Sequence, residues 1–171
     1  MSRQTGEGRI MFDWLTGVVE QSGYLGLAFL MLIENVFPPI PSELIMPLGG
    51  YLAHEGRLNA AVVVLAGSVG SLAGTYLWYF GARHLDRQKI YGLIDRHGWW
   101  LTLSRQDMKS AEDWFESHQG RAVFFGRMVP GVRTLISVPA GFAGMPRWRF
   151  LVLSLAGTVI WVGLLTGAGY V

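Results

Sequence analysis

The chain has 171 residues, of which 51% are hydrophobic and only 15% charged, against roughly a quarter charged in an ordinary soluble domain. That length holds one domain, or about six spans of roughly 20 residues in a tight helical bundle, and excludes a large multidomain enzyme. Fourteen basic against twelve acidic side chains leave a net charge of +2, too balanced for the clustered basic face that nucleic acid demands, so no nucleic-acid partner is expected. The absence of cysteine removes disulfides, thiolate metal sites and a cysteine nucleophile.

Residues 1–21 open the chain with a polar stretch, Met1 to Arg9, followed by an amphipathic one. Ile10, Met11, Trp14, Leu15 and Val18 share one helical face, with Asp13, Thr16 and Glu20 opposite. This predicts a helix lying in the membrane interface. A cleaved signal peptide fits poorly, because the following apolar run carries Glu34 and leads into prolines without a small-residue cleavage site.

Residues 22–80 form the first unit. From Gly23 to Ala53 the chain is apolar but contains Glu34, then FPPIPSE, then Glu43. Proline removes a backbone donor, and broken backbone at membrane depth survives only where protein or a water-filled cavity satisfies it. The segment therefore reads as a re-entrant or broken helix, the alternative being a surface loop joining short helices. Asn59 to Phe80 follows without one charged side chain, long enough to cross a bilayer core of about 30 Å. Tyr76, Trp78, Tyr79 and Phe80 at its end are expected to form an interfacial aromatic belt.

Residues 81–121 are a polar connector with seven basic and six acidic side chains. Half the basic residues of the chain lie here, so the positive-inside tendency puts the connector in the cytoplasm. Ser104 and Asp107 have capping-box spacing, opening an amphipathic helix in which Met108, Ala111 and Phe115 share a face.

Residues 122–171 make the second unit. Ala122 to Gly144 is again apolar and broken, with Arg127, Pro130, Arg133 and Pro139, and Phe150 to Val171 is a second uncharged span. GYLA at Gly50 and LAGS at Leu65 recur in outline as GFAG at Gly141 and LAGT at Leu155, at offsets of 91 and 90 residues. If each broken element dips in and returns, each unit crosses once and the second copy starts from the opposite side. The expected fold is thus an all-α integral membrane protein, a single membrane domain built as an inverted repeat of a re-entrant helix plus a transmembrane helix, with amphipathic connector helices.

The two units carry opposite charges: Glu34 and Glu43 in the first, Arg127 and Arg133 in the second. A charge at the bilayer centre costs about 2.5 to 3.5 kcal/mol even on lenient insertion scales, so the four demand partners or a cavity. Two guanidinium forks facing a broken helix suit a phosphate, and two acids beside them suit proton transfer. The alternative is that acids and arginines only lock the two halves together. Pro38, Pro39, Pro41, Pro130, Pro139 and Gly141 mark the breaks where a gate would move.

Other motifs narrow the field. Gly70 and Gly74 form GxxxG, read as helix packing rather than a nucleotide loop. The histidines at 54, 84, 97 and 118 lack metal-ligand spacing, so neither metal nor cofactor is expected. Ser42 in PSE lacks the histidine of a PSGH signature, which leaves hydrolysis the minority reading.

Three strings, ENVFPPIPSE, GSVGSLAGTYLWYFGAR and FFGRMVPGVRTLISVPAGFAGM, resemble the bacterial DedA membrane proteins, also called the SNARE-associated or VTT-domain family, over roughly Ser22 to Gly169. The resemblance implies two facing re-entrant elements with surrounding spans in the bacterial inner (plasma) membrane. It also implies a non-enzymatic activity that moves phospholipids or polyprenyl-phosphate carriers between leaflets; members with the FPPIPSE form look similar to transporters of undecaprenyl phosphate. Family dependence on acids in the first re-entrant element and two arginines in the second falls here on Glu34, Glu43, Arg127 and Arg133. Membrane lipids, a lipid head group and protons are then the partners, and a homo-oligomer is open. Ion/proton antiport and a membrane-embedded lipid-phosphate enzyme are the alternatives. The family normally continues into a further hydrophobic helix, whereas this sequence stops at Val171 inside an apolar run, so a truncated chain is one expectation.

Overall fold

A computed structural model of the chain describes residues 4–36, 42–85, 88–89, 91–92, 95–96 and 104–171. Every regular element among them is helical. The first, α1 (Gln4–Val36), breaks at Gly23, where φ is 54° and ψ −129°. Only glycine adopts that backbone without strain, and it separates the N-terminal limb from the apolar limb. Next come α2 (Ser42–His54) and α3 (Ala60–His84). Asn59 caps α3, its Oδ1 accepting from the amides of Ala61 at 3.0 Å and Val62 at 3.3 Å.

The connector helix α4 (Arg105–His118) starts at the predicted capping box. Ser104 Oγ accepts from the Asp107 amide at 3.1 Å, and the Asp107 carboxylate accepts from the Ser104 amide at 2.9 Å. Met108, Ala111 and Phe115 are its buried face. The second broken element runs through α5 (Gly120–Gly126), α6 (Val132–Leu135) and α7 (Ser137–Phe142), and the chain ends in α8 (Arg147–Tyr170). Two of the described helices, α3 and α8, are long and apolar enough to cross a membrane.

Packing interlocks the two units. The apolar limb of α1 lies along α3, while α2 packs on α8, α7 packs on α3, and α5 packs on α8. The second limb of each broken element therefore rests on the long helix of the other unit. Lipid tails are as apolar as leucine, so such contacts depend on close approach rather than on expulsion of water. Gly70 and Gly74 of α3 provide it: a Cβ on Gly74 would lie 2.7 Å from the Leu32 carbonyl oxygen, and Gly70 sits directly against the Ala28 carbonyl. The GxxxG pair is a packing device, as its spacing suggested.

Three apolar clusters fill the interior. Leu27, Leu30, Met31, Ile45, Met46, Val63 and Val162 join α1, α2, α3 and α8. Tyr79, Phe115, Val123, Ile136 and Phe150 join α3 with the second unit and α4. Ala82, Met108, Leu135 and Val138 tie α4 to α6 and α7.

Two expectations are corrected. Tyr79 does not stand in an interfacial belt: it is fully buried, its ring stacks on Phe150 with centroids 4.3 Å apart, and its hydroxyl donates to the Met145 carbonyl oxygen. The aromatic run reads as one girdle only if helix faces are ignored; on α3, Tyr79 points inward while Phe80 is exposed. Nor does every proline end a helix. Pro130 lies in the turn after α5, but Pro139 occupies the first turn of α7, where a missing amide leaves no bond unmade, and Pro47 sits inside α2. Pro38, Pro39 and Pro41 lie outside the described residues.

Candidate functional site

Glu34 occupies the last turn of α1 and Arg133 lies in α6. Both are buried, and they form an ion pair across the two units. Beside them Arg127, the residue after α5, is only 2% exposed. Its Nη1 donates to Thr75 Oγ1 at 2.6 Å, its Nη2 donates to Ser137 Oγ at 3.0 Å, and its guanidinium stands 5.8 Å from the Phe150 ring centroid. Arg127 Nε has no hydrogen-bond partner, and among the described residues no carboxylate lies within ion-pair distance of this side chain.

Asn35 connects these charges. Fully buried, its Nδ2 shares its two hydrogens among the Met31 carbonyl at 2.9 Å, Glu34 Oε2 at 2.8 Å and Ser71 Oγ at 3.0 Å, while its Oδ1 accepts from Thr75 Oγ1 at 3.1 Å. Thr75 in turn receives Arg127. The Asn35 carbonyl accepts from Trp78 Nε1 at 2.9 Å. A continuous chain of hydrogen bonds thus runs from Glu34 through Asn35 and Thr75 to Arg127. In a low-dielectric interior such bonds reinforce one another, and an unmade bond is correspondingly costly.

The structure brings together three of the four charges that the sequence singles out. Glu43 is different: it stands exposed in the first turn of α2, beside Leu44, Pro47 and Tyr51. Among the predicted hinge residues, Pro130 is exposed next to Gly131, whose φ of 80° turns the chain between α5 and α6. Pro139 and Gly141 are buried in α7. A Cβ on Gly141 would meet the Tyr79 carbonyl oxygen at 2.6 Å, so glycine is what seats α7 on α3.

Asn35, Ser71, Thr75 and Ser137 escape the sequence reading. A faint signal exists, since Ser68, Ser71 and Thr75 are spaced three and four apart and share one face of a largely apolar helix. Asn35 is masked by its charged neighbour.

Two guanidiniums against one carboxylate leave the cluster with an excess of buried positive charge. Isolated buried charge is expensive, so the arrangement is suited to receive an anion whose oxygens match the guanidinium fork. Among the described residues no group of acids and histidines is arranged to hold a metal ion.

An all-helical membrane protein with a cationic polar cluster where two interlocked units meet is the class defined by this fold and site. The chain belongs to the VTT-domain (DedA) family, whose VTT domain matches residues 40–171. It is 41% identical over 160 residues to an alkaline phosphatase-like protein of Lactococcus lactis subsp. cremoris, covering 93% of this chain and 75% of that one. It is 36% identical over 147 residues to undecaprenyl phosphate transporter A of Staphylococcus aureus, covering 86% and 72%. With undecaprenyl phosphate transporter A of Bacillus subtilis the identity is 32% over 151 residues, covering 88% and 70%. No solved structure matches the chain.

Proposed function

We propose that this protein is a multi-pass transporter of the bacterial inner membrane that moves a lipid phosphate, undecaprenyl phosphate or a phospholipid, between leaflets with the proton-motive force. The observation that carries the reading is the buried Glu34–Arg133 pair with Arg127 beside it, free of any carboxylate among the described residues. An arriving phosphate competes with Glu34 for Arg133 and recruits Arg127. The displaced carboxylate, left in apolar surroundings, takes up a proton. Glu43, exposed on α2, exchanges protons with water.

The energetics favour coupling. Moving an anion toward a negative cytoplasm costs roughly 2.3 kcal/mol per charge per 100 mV, and co-moving protons neutralise that charge. In this reading an inverted repeat gives alternating access, with Pro38, Pro39 and Pro41 and the turn at Pro130 and Gly131 acting as gates and the connector facing the cytoplasm. Support for the repeat comes from Gly50 and Gly141, each seating the second limb of its broken element on the other unit's long helix: Gly50 against Thr166 of α8, Gly141 against Tyr79 of α3.

The test is a leaflet-accessibility assay of undecaprenyl phosphate in cells with and without the protein, with phospholipids run alongside. Transport should require Arg127 and Arg133, and Glu34→Gln or Glu43→Gln should erase its dependence on the proton gradient. Release of inorganic phosphate would instead establish the lipid-phosphate enzyme, and ion flux in liposomes free of lipid carrier would establish the antiporter.

A further inference from the structure

A second cationic feature lies outside the buried cluster, where the N-terminal halves of α5 and α8 meet. Gly120 lets the two helices close: a Cβ there would lie 3.1 Å from Leu153 and 3.2 Å from the Arg149 guanidinium. Beyond this contact the helices part around a hollow of about 450 Å³, walled by Phe124, Phe125, Trp148 and Val152, with Arg121 and Arg149 at one end. A smaller hollow of about 310 Å³ continues past the two arginines toward Glu116 and His118. The walls are open to the surroundings, Trp148 being 69%, Val152 58% and Phe125 53% exposed.

The two arginines are exposed, and neither makes an ion pair or hydrogen bond with any described residue. This differs from Arg83 and Arg105, which are both held by neighbours. The hollow is therefore amphipathic along its length, apolar between the helices and cationic at its end, with Trp148 beside the junction. Tryptophan and arginine at the end of an apolar helix face belong at head-group level, where the aliphatic stem stays in lipid and the guanidinium reaches the polar layer.

We propose that this groove docks an anionic lipid, its phosphate held between Arg121 and Arg149 and its chain lying along Phe124, Phe125 and Val152. Charge complementarity selects the head group: two unpaired guanidinium forks match phosphate oxygens and repel the cationic part of a zwitterionic head group. The apolar walls select a lipid over free phosphate, which would leave them unused. The groove follows α5 from Gly120 to Phe125. The inference stands apart from the transport reading, because Glu34, Arg127 and Arg133 are untouched by every variant in its test.

Native mass spectrometry of the full chain, exchanged against phosphatidylglycerol, phosphatidylcholine or inorganic phosphate, reads the site directly. The native chain should retain phosphatidylglycerol about tenfold better than phosphatidylcholine, and inorganic phosphate should not displace it. Arg121→Gln with Arg149→Gln should abolish that preference, whereas Arg147→Gln, a neighbouring exposed cation outside the groove, should preserve it. Val152→Phe narrows the hollow while leaving both cations in the sequence and should lower retention several-fold, which keeps the test decisive if the double variant does not fold. Equal retention of both lipids by the native chain, an unchanged preference in the double variant, unchanged retention in Val152→Phe, or displacement by inorganic phosphate would overturn the proposal.

Discussion

Glu34 and Arg133, 99 positions apart, meet as an ion pair that joins the end of the first apolar limb to the turn region of the second unit. Because both side chains are buried, the pair is a fastener whose halves cannot be removed singly without leaving a charge uncompensated. Glu34→Gln and Arg133→Gln should each destabilise the folded protein by about 3–5 kcal/mol, read as loss of thermal stability in detergent. Exchanging the two, Glu34→Arg with Arg133→Glu, should recover much of that stability. If the exchanged protein also transported lipid normally, the pair would be structural only.

Thr75 links Asn35 to Arg127. Thr75→Val preserves shape but removes one acceptor and one donor, so it should cost about 1–3 kcal/mol of stability and reduce lipid-carrier turnover. Thr75→Ser keeps the hydroxyl and should behave nearly as the native chain in both measurements. Equal behaviour of the two variants would exclude the hydroxyl from the network.

Steric fit at the crossings gives a third expectation. Gly50→Ala pushes a methyl into the Thr166 carbonyl and Gly141→Ala pushes one into the Tyr79 carbonyl, whereas Gly163 of α8 has open space around it. The first two should lower stability by about 1–3 kcal/mol or more, since backbone cannot step aside as a side chain can. Gly163→Ala should leave stability unchanged or slightly raised. A matched loss at all three positions would rule out close packing as the cause.

The connector should respond to acid. Asp107 is held below the usual aspartate value of 3.8 by the Ser104 hydroxyl and amide, and Asp95 is held below it chiefly by its hydrogen bond with Arg105. Groups with depressed folded values stabilise the fold above about pH 4 and lose that contribution as pH falls through the folded value. Amide hydrogen exchange in α4 should therefore be slow at pH 7 and relatively faster once the pH has fallen well below the usual aspartate value of 3.8, after correction for intrinsic rates. Asp107→Asn should weaken that dependence, and Ser104→Ala should loosen the first turn at neutral pH by about 1 kcal/mol. Protection independent of pH in the native chain would contradict the capping assignment.

Much of the architecture was legible in the residues themselves. Asn59 to Phe80 and Phe150 to Val171 determine two apolar helices because neither carries a charged side chain and each is long enough to cross a bilayer core, and α3 and α8 lie over those segments. Ser104 and Asp107 determine the start of α4, because capping is a bond between near neighbours. The charges of the site were visible as well, since an ionisable residue in an apolar run is conspicuous wherever it ends up.

The faces those residues occupy were decided by the tertiary structure. Whether Tyr79 meets lipid or Phe150, and whether Glu43 joins Glu34 or remains exposed, depends on how α2, α3 and the second unit pack. The same holds for Asn35 and Thr75, ordinary polar residues until two interlocked units bring Glu34 and Arg127 to either side of them. Local sequence determines hydrogen bonds that close within a turn and helices whose solvent is lipid. A buried polar network spans dozens of positions, and only the packed fold decides which donor finds which acceptor.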